Sequence, residues 1–174
     1  MNRTAFLPVT LDDMGRRGWD ECDFVVVSGD AYVDHPSFAA AILGRLLEAE
    51  GYRVGIVAQP RWMGAESARD LLACGTPRLA WLVSAGAMDS MVAHYTANNK
   101  PRSDDAYSPG GVKGKRPDRA IIAYVGAIRA LGTGKPVVIG GIEASLRRFA
   151  HYDYWSNTVR RSVLLDSKAD LLVY

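Results

Sequence analysis

The stretch that decides the fold is FVVVS at residues 24–28, followed directly by Gly29 and Asp30. A short β-branched run that ends in a glycine is typical of a strand buried on both faces, as in a parallel sheet. Two later short apolar runs are also typical of strands: VGIVA at 54–58 and LAWLVS at 79–84. These three runs predict the first strands of a parallel sheet.

Segments with helical periodicity lie between these strands. Pro36 can begin a helical turn, and the pattern ends at Gly51. The apolar positions between them recur at helical spacing: Phe38, Ile42 and Leu46. This is the pattern of a capped amphipathic helix, whose apolar side normally faces the core. A second helix is predicted at residues 65–74.

The second half of the chain continues the alternation of strands and helices. Apolar positions between 118 and 131 fit a helical period, although IIAYV at 121–125 alone would also suit a strand. We predict a helix there. The remaining predicted elements are a strand at 137–139, a turn at Gly140 and Gly141, a short helix from Glu143 and a strand at 171–174.

This alternation predicts an α/β fold with right-handed crossovers: a doubly wound, mostly parallel, Rossmann-like sheet of about five strands. The ligand crevice of such a sheet lies beyond the carboxyl ends of its strands. We expect the 174 residues to form a single domain. The last predicted strand reads as a central one with no covering helix after it, so we expect the chain to be part of a longer protein.

Composition excludes several classes of protein. The chain is 48% hydrophobic and 23% charged, as in soluble globular domains, and its net charge of +2 argues against a dedicated nucleic-acid binder. The first residues lack the apolar run of a signal peptide, and no run approaches the roughly 18 apolar residues of a membrane span, so we expect no targeting to a membrane. Cys22 and Cys74 lie far apart in the sequence and provide neither a disulfide scaffold nor a four-thiolate metal site. We expect a reducing, cytoplasmic location and no metal site.

The loops after the first and fourth strands carry the candidate binding residues. Carboxylates and an imidazole after the first strand could serve as ligands or as acid–base groups. Backbone N–H groups and arginines after the fourth strand could hold an anion. The predicted crevice residues are Asp30, His35, Gly140, Gly141, Glu143, Ser145, Arg147 and Arg148.

Both loops also have a purely structural interpretation. Capping and turn chemistry explains the first loop, and a tight turn with surface-paired arginines explains the second. GxGxxG and GxSxG motifs are absent from the sequence, and no spacing of serine, histidine and aspartate singles out a triad. No catalytic residue is therefore assigned.

Two further segments attract attention. Residues 97–118 are too long for an ordinary connection and predict a lid, a tail or a docking segment. The basic residues in this segment and directly after it are Lys113, Lys115, Arg116 and Arg119. They stand close to acids, so we expect a solvated loop that is mobile unless it docks. The ring-rich stretch HYDYW at 151–155 could stack on a flat cofactor or base, but an aromatic corner against a neighbouring domain is favoured.

Four long strings resemble one known family, the amino-terminal domain of YgiQ-type radical SAM proteins. They are FLPVTLDDMGRRGWDECDFVVVSGDAYVDHPSF at 6–38, GRLLEAEGYRVGIVAQPRW at 44–62, AGAMDSMVAHYTANNKPRSDDAYSPGG at 85–111 and IGGIEASLRRFAHYDYWSNTVRRSVLLDSKADLLVY at 139–174. One departure is Ala87, where the family pattern has asparagine, whereas the following Met88, Asp89 and Ser90 agree.

The resemblance implies that a radical SAM barrel follows residue 174. That barrel would carry a CxxxCxxC motif whose thiolates hold a [4Fe-4S] cluster that cleaves S-adenosylmethionine. The present chain would then be an accessory domain, inactive alone, whose partner is its own carboxy-terminal radical SAM domain. The substrate is not implied.

The chain also resembles, more weakly, the cobalamin-binding domains of other radical SAM proteins. The cobalt-ligating DxHxxG motif is absent, because His35 directly follows Asp34 and His151 is followed by Tyr152. Cobalamin binding through histidine is therefore disfavoured. An alternative from a different class is a stand-alone, non-catalytic module that binds a phosphate-bearing small molecule or RNA.

Overall fold

A computed structural model describes residues 6–32 and 38–174. Its strands are β1 (Phe24–Ser28), β2 (Val54–Ala58), β3 (Ala80–Ser84), β4 (Val137–Gly140), β5 (His151–Asp153), β6 (Thr158–Arg160) and β7 (Leu171–Leu172). Five of them form a parallel sheet in the order β2-β1-β3-β4-β7, and β5 and β6 form a separate antiparallel hairpin. The predicted α/β, Rossmann-like fold is confirmed.

The helices precede or follow the strands along the chain. They are α1 (Leu11–Arg16), α2 (Ala39–Ala49), α3 (Ala65–Leu71), α4 (Ser90–His94), α5 (Ala120–Ala130), α6 (Gly141–Leu146) and α7 (Val163–Ser167). The prediction of a helix over IIAYV is confirmed, because α5 buries Ile121, Tyr124, Val125 and Ile128 along one side. None of these described helices is long and apolar enough to cross a membrane.

The two faces of the sheet are covered unequally. The first face carries the larger core, in which Val25, Trp81 and Ile139 pack against residues of α3, α5 and α7. The second face carries a smaller core, in which Val26 and Ile56 pack against α2 and Leu7. The second core lies over β1 and β2, at one side of the sheet.

The predicted packing of α2 is wrong. Ile42 is 56% exposed and Leu46 is 59% exposed, whereas the buried positions of the helix are Ala40, Ala41, Gly44 and Glu48. Gly44 leaves room for the side chain of Leu7: a Cβ on Gly44 would lie 2.6 Å from Cδ1 of Leu7 and 3.8 Å from side-chain atoms of Ile56 and Val54. The small-residue side of the helix therefore packs on the core, and the larger side chains face outward.

The position of the last strand also differs from the prediction. β7 is an edge strand, which among the described residues pairs only with β4 through Val138 opposite Leu171 and Ile139 opposite Leu172.

Several short elements had no clear sequence pattern and were not predicted: α1, α4, α7 and the β5–β6 hairpin. The hairpin is fastened by buried Asp153, whose carboxylate accepts hydrogen bonds from Arg119 and Ser156.

Candidate functional site

The carboxyl edge of the sheet has a reversal of strand order between β1 and β3. β2 lies on one side of β1 and β3 on the other, so the loops after β1 and β3 flank the place where such sheets bind ligands. The amide of Gly29 donates to the carbonyl of Ser84 at 3.0 Å. A Cβ on Gly29 would lie only 2.1 Å from the carbonyl oxygen of Ala85. The base of this crevice is therefore closed by backbone.

Arg116 fills the crevice above these loops. Its buried guanidinium donates through Nη1 to the carbonyl of Ala85 at 2.9 Å and through Nε and Nη2 to Asp105 at 3.3 and 3.1 Å. Nη2 also lies 3.2 Å from Oδ1 of Asp30, and the guanidinium stands 5.4 Å from the ring centre of Tyr107. The chain's own side chain thus occupies the usual ligand position.

Asp30 and Asp105 hold this arginine from two directions. Burial raises the pKa of Asp30, although the N–H of Ala87, at 2.6 Å, and Arg116 favour its charged form. Burial acts in the same sense on Asp105, but the N–H of Tyr107 and Arg116 outweigh it and lower the pKa of Asp105. The hydrogen bond to Asp30 comes from the backbone amide of residue 87. It therefore does not depend on the asparagine side chain that the family pattern has at this position.

The 97–118 segment is docked on the crevice. Ser108 donates to Asp105 at 3.2 Å and accepts from the Gln59 side-chain amide at 2.7 Å, while the amide of Ala31 donates to the carbonyl of Tyr107 at 3.0 Å. The expectation of a solvated loop is wrong for Arg116, because Asp105 is buried together with it. It holds for Lys113 and Lys115, which are exposed.

A second polar cluster adjoins the crevice and is centred on buried Glu143. One carboxylate oxygen accepts from the amide and the hydroxyl of Ser90, at 2.9 and 2.6 Å, and the other accepts from the amide of Ile121 at 3.0 Å. The hydroxyl of Ser90 also accepts from the amide of Ala120 at 3.1 Å. Glu143 therefore ties together the starts of α4 and α5.

The other predicted residues of the second loop have separate roles. Arg147 forms an ion pair with buried Asp89, the residue that caps α4. Ser145 donates back to the carbonyl of Gly141 at 2.9 Å. The guanidinium of Arg148 lies over two exposed rings, those of Phe149 and Tyr174. Gly140 ends β4, and Gly141 begins α6 with a φ of 82°.

The structure thus brings together only part of the predicted set. Asp30 lies in the crevice, Glu143 and Arg147 lie in the adjoining cluster, and His35 is outside the described residues. Binding of a ligand by these residues stays a prediction. Sequence reasoning missed four participants: Asp89, Ser90, Asp105 and Arg116. Asp89 and Ser90 follow a predicted strand, as Asp30 does, and this signal could have identified them.

The outer side of the docked segment borders an open groove of about 600 Å³. His94 lies in this groove, with Nδ1 2.6 Å from one oxygen of Asp118, and the hydroxyl of Tyr95 donates to the other oxygen at 2.8 Å. The second ring nitrogen of His94 points inward and lies 4.0 Å from Asp105. This nitrogen is buried and has no hydrogen-bond partner among the described residues, so the histidine stands beside the buried arginine network without a hydrogen bond to it.

The cluster implied by the resemblance does not fit the residues of this chain. The sequence has two cysteines, one fewer than the three thiolates required. Both thiols are buried beside Gly55, and burial raises the pKa of Cys22 to about 11 and that of Cys74 to about 12, which disfavours thiolate ligands. Among the residues that the structure describes, no group of three or more His, Cys, Asp or Glu side chains is placed to hold a metal.

Fold and site together define a doubly wound α/β domain whose ligand crevice is filled by its own arginine. The family model described as Radical SAM N-terminal matches residues 6–174, and the chain belongs to this family. No solved structure matches it.

Similar proteins from three bacteria share the UPF0313 designation. A UPF0313 protein of Clostridium botulinum (strain Loch Maree / Type A3) is 58% identical over 100% of this chain and 26% of its own length. UPF0313 protein YgiQ of Salmonella typhimurium is 59% identical over 97% of this chain and 23% of its own length. UPF0313 protein PA4928 of Pseudomonas aeruginosa is 57% identical over 97% of this chain and 22% of its own length. The chain spans about a quarter of the length of these curated relatives.

Proposed function

We propose that this chain is the amino-terminal accessory domain of a cytoplasmic radical SAM enzyme. In the full-length protein a following domain holds the [4Fe-4S] cluster and S-adenosylmethionine, and the present domain supplies neither thiolate ligands nor catalytic groups. The single observation that carries the proposal is the family match over residues 6–174. The much greater length of the relatives leaves room for a catalytic domain.

The internal hydrogen bonding of the domain supports an accessory role. Arg116, Asp30 and Glu143 are buried and bonded to groups of the same chain, so they stabilise a scaffold. Such a scaffold can present a rigid surface to a catalytic domain. The substrate of the full-length enzyme is left open by the proposal.

Anaerobic reconstitution with iron and sulfide tests the proposal. We expect the full-length protein to bind close to four iron atoms per chain and, with dithionite as electron donor, to convert S-adenosylmethionine into methionine and 5′-deoxyadenosine. We expect neither result from residues 1–174 alone. Iron analysis and chromatography of the products provide the measurement.

A cysteine variant provides the matched control. Because Cys22 and Cys74 are buried with raised pKa values, full-length protein carrying Cys22→Ala and Cys74→Ala should keep its iron content and its cleavage activity. A folded variant that loses the cluster, or a full-length protein that never acquires one, would contradict the proposal.

A further inference from the structure

An apolar row that is only partly covered crosses the second face of the sheet. In the strand register Leu82 is opposite Val138, and Val138 is opposite Leu171, so the three side chains lie on one face of β3, β4 and β7. Val173 follows two residues after Leu171 and continues the row. Leu82 and Val138 are partly buried, whereas Leu171 is 54% exposed and Val173 is 55% exposed.

The described helices cover only the start of this row, where Leu82 packs against the second core. α2 is the only described helix in that core, and its main contacts with strands are those with β1 and β2. α6 contacts β3 and β4, but its buried Ala144, like residues of α3, α5 and α7, belongs to the core of the first face. Parallel sheets are normally covered on both faces, so the part of the row on β4 and β7 lacks the covering layer that the rest of the fold predicts.

The chemistry of the row specifies the kind of partner. Strands β3, β4 and β7 carry no charged residue. A nucleic acid or an acidic peptide would need cationic groups here, whereas an apolar polypeptide surface would gain from burial. An apolar protein surface is therefore the kind of partner that suits this row.

We propose that the polypeptide following this domain in the full-length protein packs an apolar segment against the row formed by Leu82, Val138, Leu171 and Val173. This inference rests on the proposed function, which places further chain after the matched region. That region extends to residue 174, beside the row, and the relatives are about four times as long as this chain. The following polypeptide is thus the partner with the highest effective concentration at this surface.

Hydroxyl-radical footprinting measures whether the row is covered. We expect the peptide containing Leu171 and Val173 to be oxidised at least about fivefold more slowly in the full-length protein than in residues 1–174 alone, because its side chains become buried. Exposed Leu11 lies on α1, near Gly75 and away from the row, and its oxidation should change less than about twofold. Equal oxidation of the row in both proteins would overturn the inference.

A pair of matched variants tests the contact independently. Leu171→Lys and Leu11→Lys add the same charge at positions that are 54% and 59% exposed. In full-length protein we expect Leu171→Lys to restore oxidation of Val173 to the rate seen in residues 1–174 alone, and Leu11→Lys to leave it unchanged. If Leu171→Lys leaves Val173 protected, the row is not the contact surface.

Two further measurements separate the possible outcomes. If protection disappears on dilution together with a dimer detected by light scattering, a second copy covers the row and the inference fails. If the full-length protein cleaves S-adenosylmethionine while the row stays unprotected, the inference fails and the proposed function stands. Protection without any cluster would support the contact and contradict the proposed function.

Discussion

Arg116→Met is expected to lower the free energy of unfolding by about 3–5 kcal/mol, the usual cost of breaking a buried ion pair from one side. The substitution keeps much of the side-chain volume but leaves Asp30 and Asp105 buried without their cation. The carbonyl of Ala85 also loses a donor. Because a domain of this size is stable by roughly 5–15 kcal/mol, such a loss is a large share of the total. Urea unfolding followed by circular dichroism measures it.

Arg69→Met is the matched control for this prediction. Arg69 lies on α3, its side chain is exposed, and its ion pair with Glu66 belongs to a class that contributes about 0–1 kcal/mol. Its replacement should therefore change stability by less than about 1 kcal/mol. Equal effects of the two substitutions would show that the buried network has no special importance.

The pH dependence of the stability of Arg116→Met is a second, independent test of the buried ion pairs. Without the cation, burial should raise the pKa of both Asp30 and Asp105 in the folded protein. The unfolded chain then binds fewer protons than the folded one, so stability falls as the pH rises from about 4 through the raised pKa values. The variant should be less destabilised at about pH 5 than at about pH 8. Asp105→Asn in the same variant should reduce this slope.

Prediction from the sequence succeeded where the deciding signal is local. Short apolar runs marked β1, β2 and β3, and the helical period marked α5. The packing of α2 was predicted wrongly, because periodicity gives weight to large apolar residues such as Ile42 and Leu46 and ignores the room that Gly44 leaves for the side chain of Leu7. Which side of α2 becomes buried depends on the shape of the surface that the helix packs against.

The crevice shows why a site is harder to predict than its scaffold. Asp30 was recognised as a residue of the carboxyl edge because it follows a strand. Arg116 was assigned to solvent because nearby acids suggested a polar loop, whereas it bonds to a carbonyl 31 residues away in the chain. No local pattern carries that information, since it depends on where the 97–118 segment crosses the sheet.

Gly29→Ala is expected to destabilise the fold by about 3 kcal/mol or more, or to prevent folding. The added Cβ would lie 2.1 Å from the carbonyl oxygen of Ala85 and 2.8 Å from its carbonyl carbon. Both contacts are with backbone atoms. The parallel pairing of β1 with β3 fixes the two strands in register up to Ser28 opposite Ser84. No side-chain rotation can therefore relieve the overlap.

Gly126→Ala should have the opposite effect and serves as the control. Gly126 lies within α5, and a Cβ there would meet nothing within 4 Å. Replacing a helical glycine by alanine stabilises a helix by roughly 0.5–1 kcal/mol. Thermal and urea unfolding of both variants provide the comparison. If Gly29→Ala unfolds at the same urea concentration as Gly126→Ala, the loops after β1 and β3 are not closed against each other, and the crevice is wider than the contact between Gly29 and Ala85 requires.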